Sequence, residues 1–477
     1  MRKNLLALSI AAMVGGLSGA ANAAVISDGG TATLLETTTT GVGHILVVPY
    51  FSTQANNKTL LNIVNTDTSN GKAVKLRYRG AANSDDIFDI TVYMSPGDVW
   101  TADVAADGEG FSRLVTDDNS CTLPSAQAIK DDDNGRFKTN RVRGQKDQTR
   151  EGYIEILNSA DIIPGTALFT AIKHVNGKAP CTSAVMDLQE FDLTSKADAT
   201  ARGYNNPTGG LMANWVLVNV AGMASHSGEA AAVRANLIRG GASAPANIVW
   251  FPQTTTNVAA AGRTADPLLL SASFAGQVAS YDFPDLSTPY TAAAPSAQAD
   301  ELSAALGTTS VTNEYLTGNG FSTDWVFSMP TRRYAVAMDY AAAGSNRLVF
   351  NTANSRHFNA ANTTLSADGF QACVTSVSPR AYGREEQSQV SFVISPASSD
   401  VRLCGEVSVL AFNNLGNASV LDAKISRNDI KSKYNEGWFT VSTPAATAGL
   451  GLPVIGYAAS KVSGSNLGGT WKHRTAR

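Results

Sequence analysis

The chain is poor in charge, in histidine and in cysteine, and beyond residue 23 it has no long apolar run. Charged residues make up 16% of its 477 positions, against about a quarter in an average globular protein. The net charge of -3 is too small to act at range, so neither nucleic acid nor an anionic membrane is an expected partner. No stretch after residue 23 approaches the roughly 18 apolar residues of a spanning helix. The nearest, Ala448 to Ala459, is interrupted by Pro453 and by glycines and alternates as a buried strand does. The five histidines are scattered singly, and no G-x-S-x-G elbow, H-E-x-x-H helix or phosphate-binding glycine loop occurs; the commonest hydrolases and nucleotide enzymes depend on such motifs. No fixed-period repeat is present, which argues against solenoids and propellers.

What is present begins at the N-terminus. Met1-Arg2-Lys3 is basic, Leu5 to Val14 is apolar, and Ala21-Asn22-Ala23 is a small-residue A-x-A site. Together these read as a secretory signal peptide over residues 1–23, cleaved between Ala23 and Ala24. The expected destination is the periplasm, the cell surface or the exterior. There the four cysteines acquire a meaning they would lack in a reducing cytosol. Cys121, Cys181, Cys373 and Cys404 allow three pairings. The expected one is sequential, Cys121 with Cys181 and Cys373 with Cys404, because it keeps each bridge within one half of the chain. Each would contribute about 4 kcal/mol at most by loop closure. No pair has C-x-x-C spacing and no histidine stands beside one, so zinc is not expected.

The pattern of the chain is that of strands. Ile45 to Phe51, Leu60 to Val64, Val74 to Arg79, Phe88 to Met94 and Val99 to Val104 are short apolar or alternating runs separated by turn residues. In Val74 to Arg79 the apolar and basic residues alternate at period two, which predicts one face in a core and the other in water. Pro49 suits a bulge or an edge, since proline donates nothing to a ladder. Ser95-Pro96-Gly97-Asp98 fits a type II turn. Asp107 to Arg150 reads as a long polar excursion pinned at Cys121, Ala167 to His174 as a further strand, and Ser296 to Leu306, between Pro295 and Gly307, as a short helix. Apolar strands follow at Trp215 to Val220, Ile248 to Phe251, Trp325 to Met329, Tyr334 to Met338, Val390 to Ile394, Val407 to Phe412, Trp438 to Val441 and Val454 to Val462. The fold class expected is all-β, mainly an antiparallel β-sandwich with one or two short helices. Two units are expected: an N-terminal sandwich over 24–200 and a C-terminal β-rich unit over 201–477.

Sites are few. Ser225-His226-Ser227 with Glu229 is the most suggestive histidine setting, but neighbours on one loop seldom form a nucleophile and its base. It reads as a solvated turn. His44 and His174 read as structural, His357 as an ordinary loop residue, and His473 as part of the C-terminal tail. Asp85-Asp86 with Asp89, and Glu385-Glu386, are the paired carboxylates a glycosidase would need; all fall where turns are expected. Lys130-Asp131-Asp132-Asp133-Asn134-Gly135 could gather oxygen ligands around calcium. In an EF-hand register, however, Lys130 would occupy the first ligand position, so Asp131, Asp132 and Asp133 read first as a surface loop balanced by the basic residues that follow. Most tryptophans sit within apolar runs and read as core rather than as sugar platforms.

The stretch from Leu60 to Val104, with Asn65-Thr66, Gly80 to Asp86 and Ser95 to Trp100, resembles exported bacterial β-sandwich proteins of unassigned function. That resemblance implies fold and export and carries no site residues. The expected function is a non-catalytic structural, assembly or adhesion role with itself, other surface proteins or glycans as partners. The alternative is a carbohydrate-active enzyme or carbohydrate-binding protein. An exposed cleft holding carboxylates and an unpacked Trp or Tyr would favour the alternative, and an unpaired strand edge would favour assembly.

Overall fold

A computed structural model of the chain describes residues 24–131, 135–250, 285–291, 295–375, 377–390, 393–394, 401–412, 419–425 and 427–477. The chain is all-β in class, with 45% of residues in strands and 14% in helices. No helix among the described residues is long and apolar enough to cross a membrane. The first unit contributes β1 (Leu34–Thr37), β2 (Ile45–Ser52), β3 (Lys58–Asn65), β4 (Gly71–Gly80), β5 (Asp86–Met94), β6 (Val99–Ala106), β7 (Ser112–Val115), β8 (Cys121–Leu123), β9 (Glu151–Ile162), β10 (Leu211–Asn219), β11 (Ala224–Glu229) and β12 (Ala231–Asn236). They form a main sheet in the order β1-β12-β2-β9-β4-β5-β8 and a second sheet in the order β11-β10-β3-β6-β7.

These pairings move the expected boundary. A break at residue 200 would sever β10 from β3 and β12 from β1 and β2, so the first unit continues to Trp250. The division expected at 200 or 201 failed because sheet pairing is non-local: β10 completes a strand pair begun some 150 positions earlier, Leu211 lying opposite Asn65. Ala24 opens a short strand, Ala24–Ile26, that pairs with Ile248–Trp250; Ala23 and Phe251 lie outside the described residues. Ala167–Ile172 is a helix rather than a strand. Thr166 caps it, its hydroxyl accepting from Phe169 N at 3.2 Å, an N-terminal signal that outweighs the shortness of the apolar run.

Pro49 sits in a bulge of β2, where Pro49 and Tyr50 stand opposite the single residue Tyr153 of β9, and beyond the last residue that β12 pairs, Val47. Its missing N–H therefore costs no ladder bond. Gly97 has φ +72° in the turn before β6, a conformation open to glycine without strain.

The second unit contributes β13 (Ser310–Leu316), β14 (Phe321–Ser328), β15 (Val377–Gly383), β16 (Val407–Phe412), β17 (Arg427–Lys431), β18 (Glu436–Ser442), β19 (Ile455–Val462), β20 (Gly468–Lys472) and β21 (Arg474–Ala476). The third sheet runs β15-β18-β13-β21 with Ser388–Gln389 outside β15, and the fourth runs β17-β16-β14-β19-β20 with Val393–Ile394 outside β17. Only β16 with β17 pairs parallel among these. The expected helix is found at Pro295–Leu306, burying Ala299, Leu302 and Leu306 at helical spacing.

Alternation along β14 decides how the layers stack. Trp325 and Phe327 join Leu410, Phe412, Phe439 and Val441 in a core between the third and fourth sheets. Val326, on the opposite face, joins Val409, Tyr457 and Ala459 in a core continuous with that of the first unit. The fourth sheet is thus buried on both faces. At about 25 cal/mol per Å² of apolar area, a shared core of this kind ties the two units together.

Candidate functional site

Cys121 and Cys181 lie with their sulfurs 2.14 Å apart, and Cys373 and Cys404 2.10 Å apart. The sequential pairing is the one present. The first bridge pins β8, at the edge of the main sheet, to the segment after the Ala167–Ile172 helix. The second joins directly opposed residues of a small three-stranded sheet.

The open face of the third sheet carries a groove of about 560 Å³. In register across three strands stand Glu314 on β13, Trp438 on β18 and Tyr382 on β15. Period-two alternation puts their neighbours Tyr315 and Phe439 into the core and leaves these three outward. The Trp438 and Tyr382 rings stack at 3.9 Å between centroids and 9° between planes, while Trp438 remains 40% exposed. The close approach of β18 to β15 needs Gly437, where a Cβ would lie 1.7 Å from the Tyr382 carbonyl oxygen. Arg384 and Glu386, on the turn after β15, complete the wall, and Arg384 Nη1 pairs with Glu436 Oε1 at 2.7 Å. An aromatic face with carboxylates and a guanidinium around it offers a stacking surface and several hydrogen-bonding groups to a polyhydroxylated ring.

The other anticipated positions fall elsewhere. Asp85, Asp86 and Asp89 are not solvated turn residues. Asp86 begins β5 and pairs with Arg77, Asp89 pairs with Lys75, and Asp85 accepts from the Tyr340 hydroxyl at 2.6 Å. Of the second acidic pair, Glu385 and Glu386 are exposed as expected, and Glu386 lines the groove. His226 lies on β11, 3% exposed, with its neighbours Ser225 and Ser227 exposed on the other side of the strand. Strand alternation therefore separates imidazole from hydroxyls, and burial pushes its pKa down to about 4. His357 is buried as well, its Nδ1 2.9 Å from the Gly451 carbonyl. His473 docks its Nε2 on the Val326 carbonyl at 2.9 Å. His44 is fully buried and accepts from Ala235 N at 3.1 Å. His174 stands 3.6 Å from Asp98. Asp131 is exposed and accepts from Gln127 at 2.9 Å; Asp132 and Asp133 lie outside the described residues. Among the described residues no three His, Cys, Asp or Glu side chains are grouped as metal ligands.

The basic face of β4, expected in water, is buried. Lys75, Arg77 and Arg79 are at most 1% exposed, and each has an acidic partner on a neighbouring strand or segment. Arg79 Nε reaches Glu155 Oε2 at 3.3 Å and its Nη2 reaches Asp285 at 3.7 Å. Asp285 also holds Arg333, and Arg332 Nε pairs with Glu406 at 3.1 Å. Arg79, Arg332 and Arg333 thus face Glu155, Asp285 and Glu406, a balanced set spanning both units. Burial pushes the Glu406 carboxyl up, while Arg332 and Arg333 pull it back. Glu406 N and Val407 N donate to the Ala81 carbonyl at 2.8 and 3.1 Å across the same seam.

Comparison with protein-family models, with curated proteins and with solved structures finds no match. What fold and bonding define is a disulfide-bearing all-β protein of several stacked sheets.

Proposed function

We propose that the chain is an exported, non-catalytic adhesion protein of the bacterial periplasm or cell surface that contacts glycans through the Trp438 groove. The observation that carries this reading is the row Glu314–Trp438–Tyr382 on an open sheet face. One face of the Trp438 ring is stacked on Tyr382, and Glu314 rises on its other side, leaving a slot in which a sugar ring can stack and hydrogen-bond. The signal-like residues 1–23 and two disulfides support an oxidising destination. A second reading, self-assembly, draws on β21, an edge strand exposed along its length beside β13.

The test is a glycan array with the mature chain and Trp438→Ala. Saturable binding weakened at least about tenfold, ~1.4 kcal/mol, with an unchanged melting temperature, is the expected result. No glycan binding, together with fibres or oligomers by microscopy, would replace adhesion with assembly. Release of reducing sugar from a bound glycan, lost in Glu314→Gln, would instead make the groove an active site.

A further inference from the structure

A cavity of about 490 Å³ lies where the units meet, between the β11–β12 corner and strands β19 and β20. Voids in a packed interior seldom exceed a water molecule, whereas small-ligand pockets span about 300–1,000 Å³. By volume this cavity belongs with the second class. Its apolar lining includes Trp215, Tyr457, Pro49 and Leu306, and the Trp215 and Tyr457 rings lie 4.6 Å apart. The two aromatic residues are 1% and 3% exposed, yet the indole Nε1 and the phenol oxygen have no hydrogen-bonding partner among the described residues. Gly228 keeps this wall thin, since a Cβ there would stand 2.7 Å from the Trp215 ring.

The polar part of the lining is rich in threonine and carries three exposed charged side chains. Lys472 is the cross-strand neighbour of Tyr457, and Arg477 donates to Thr37 Oγ1 at 2.8 Å. Glu229, from β11, contributes the opposite charge. His473 also lines the cavity, but both of its nitrogens are engaged by Val326 and Asn313 and it adds no charge there; burial holds its pKa at about 3.

We propose that this cavity binds a small amphipathic monoanion, with an apolar aromatic or alkyl body against Trp215 and Tyr457 and one anionic head at Lys472 and Arg477. Among the lining side chains two cations, Lys472 and Arg477, face one carboxylate, which favours a single negative head, and Glu229 disfavours a ligand with a second. The site is separate from the Trp438 groove and shares no lining residue with it.

Anilinonaphthalene sulfonate, an aromatic monoanion whose fluorescence rises in apolar surroundings, is the probe, with decanoate as competitor. The full chain is expected to bind one equivalent saturably and to release it to decanoate. Lys472→Glu, an exposed change, should weaken binding at least tenfold. Ser227→Trp, which fills the cavity from an exposed strand position, should abolish it, and Trp438→Ala should leave it unchanged. Absence of saturable binding, or binding indifferent to both Lys472→Glu and Ser227→Trp, would overturn the assignment. Loss of binding in Trp438→Ala alone would place the dye in the groove and overturn it equally.

Discussion

Asp324 is a buried carboxylate with no ion pair among the described residues, Arg427 acting on it only through its field. Its Oδ2 accepts from Ser419 Oγ at 2.5 Å, Val420 N at 3.0 Å and Leu421 N at 2.9 Å, holding that segment against the core. Burial outweighs those bonds and pushes its pKa up to about 6. A carboxyl whose folded pKa exceeds its unfolded value is most favourable when protonated, so its cost appears as pH rises through that interval. Asp324→Asn keeps the triple acceptor and removes the charge. Urea denaturation should therefore show the variant more stable by about 1–3 kcal/mol at pH 7.5, with the advantage gone near pH 4. An advantage independent of pH would mean that Asp324 titrates alike in the folded and unfolded chain. Residues of this kind were only half legible. The alternation in Val74 to Arg79 announced a strand, but the sequence could not place Lys75, Arg77 and Arg79 inside, because Asp86, Asp89 and Glu155 reach them from other strands. The same blindness made Asp85 and Asp86 read as turn residues. Trp438 looked like its buried counterparts because neighbours in sequence do not tell which face of a strand stays open.

At the scale of elements, short alternating runs and Asn/Asp/Gly/Ser turns were sufficient to find most strands, and Pro295 with Gly307 to bracket the helix between them. Sheet order was hidden, since β10 and β12 complete sheets begun before residue 66. Hidden too was the role of Pro330-Thr331-Arg332-Arg333, which reads as a tight connection. It carries two buried guanidiniums into the seam between the units. A buried pair adds little net stability over an apolar replacement, but removing one partner leaves a charge uncompensated and costs about 3–5 kcal/mol. Glu406→Ala strands Arg332, whose remaining contacts are the Ala372 and Ala82 carbonyls. Its free energy of unfolding, measured in urea, should drop by that amount. Because the seam joins units that also share a core, both should still unfold in one transition. Separate transitions for Trp100 in the first unit and Trp325 in the second would show that the seam, rather than the core, couples them.

For the whole molecule buried histidines and buried carboxyls pull the response to acid in opposite directions. His44 lies just before β2, His226 on β11 and His473 in the link between β20 and β21, and burial pushes their pKa values down to about 3, 4 and 3. Unfolded, each imidazole takes a proton near pH 6.5; folded, none does until the pH is far lower. The unfolded state therefore binds more protons throughout that window, and stability present above about pH 6.5 is lost as pH falls toward about 4. Each contributes a slope of about 1.4 kcal/mol per pH unit. Asp324 opposes them by at most one such increment between pH 6 and 4, as do the carboxyls of Glu151, Asp161 and Glu406, which burial pushes upward. The net slope of wild type is thus a difference of several protons, and a single substitution isolates one of them. His473→Gln can still donate to the Val326 carbonyl and accept from Asn313. Whatever it costs at pH 7.5, the slope of its unfolding free energy with pH between pH 4.5 and 6 should be less positive than that of wild type by about 1.4 kcal/mol per unit. Parallel slopes would show that His473 is protonated in the folded chain, and its bond to Val326 would then have to be read as that of an imidazolium.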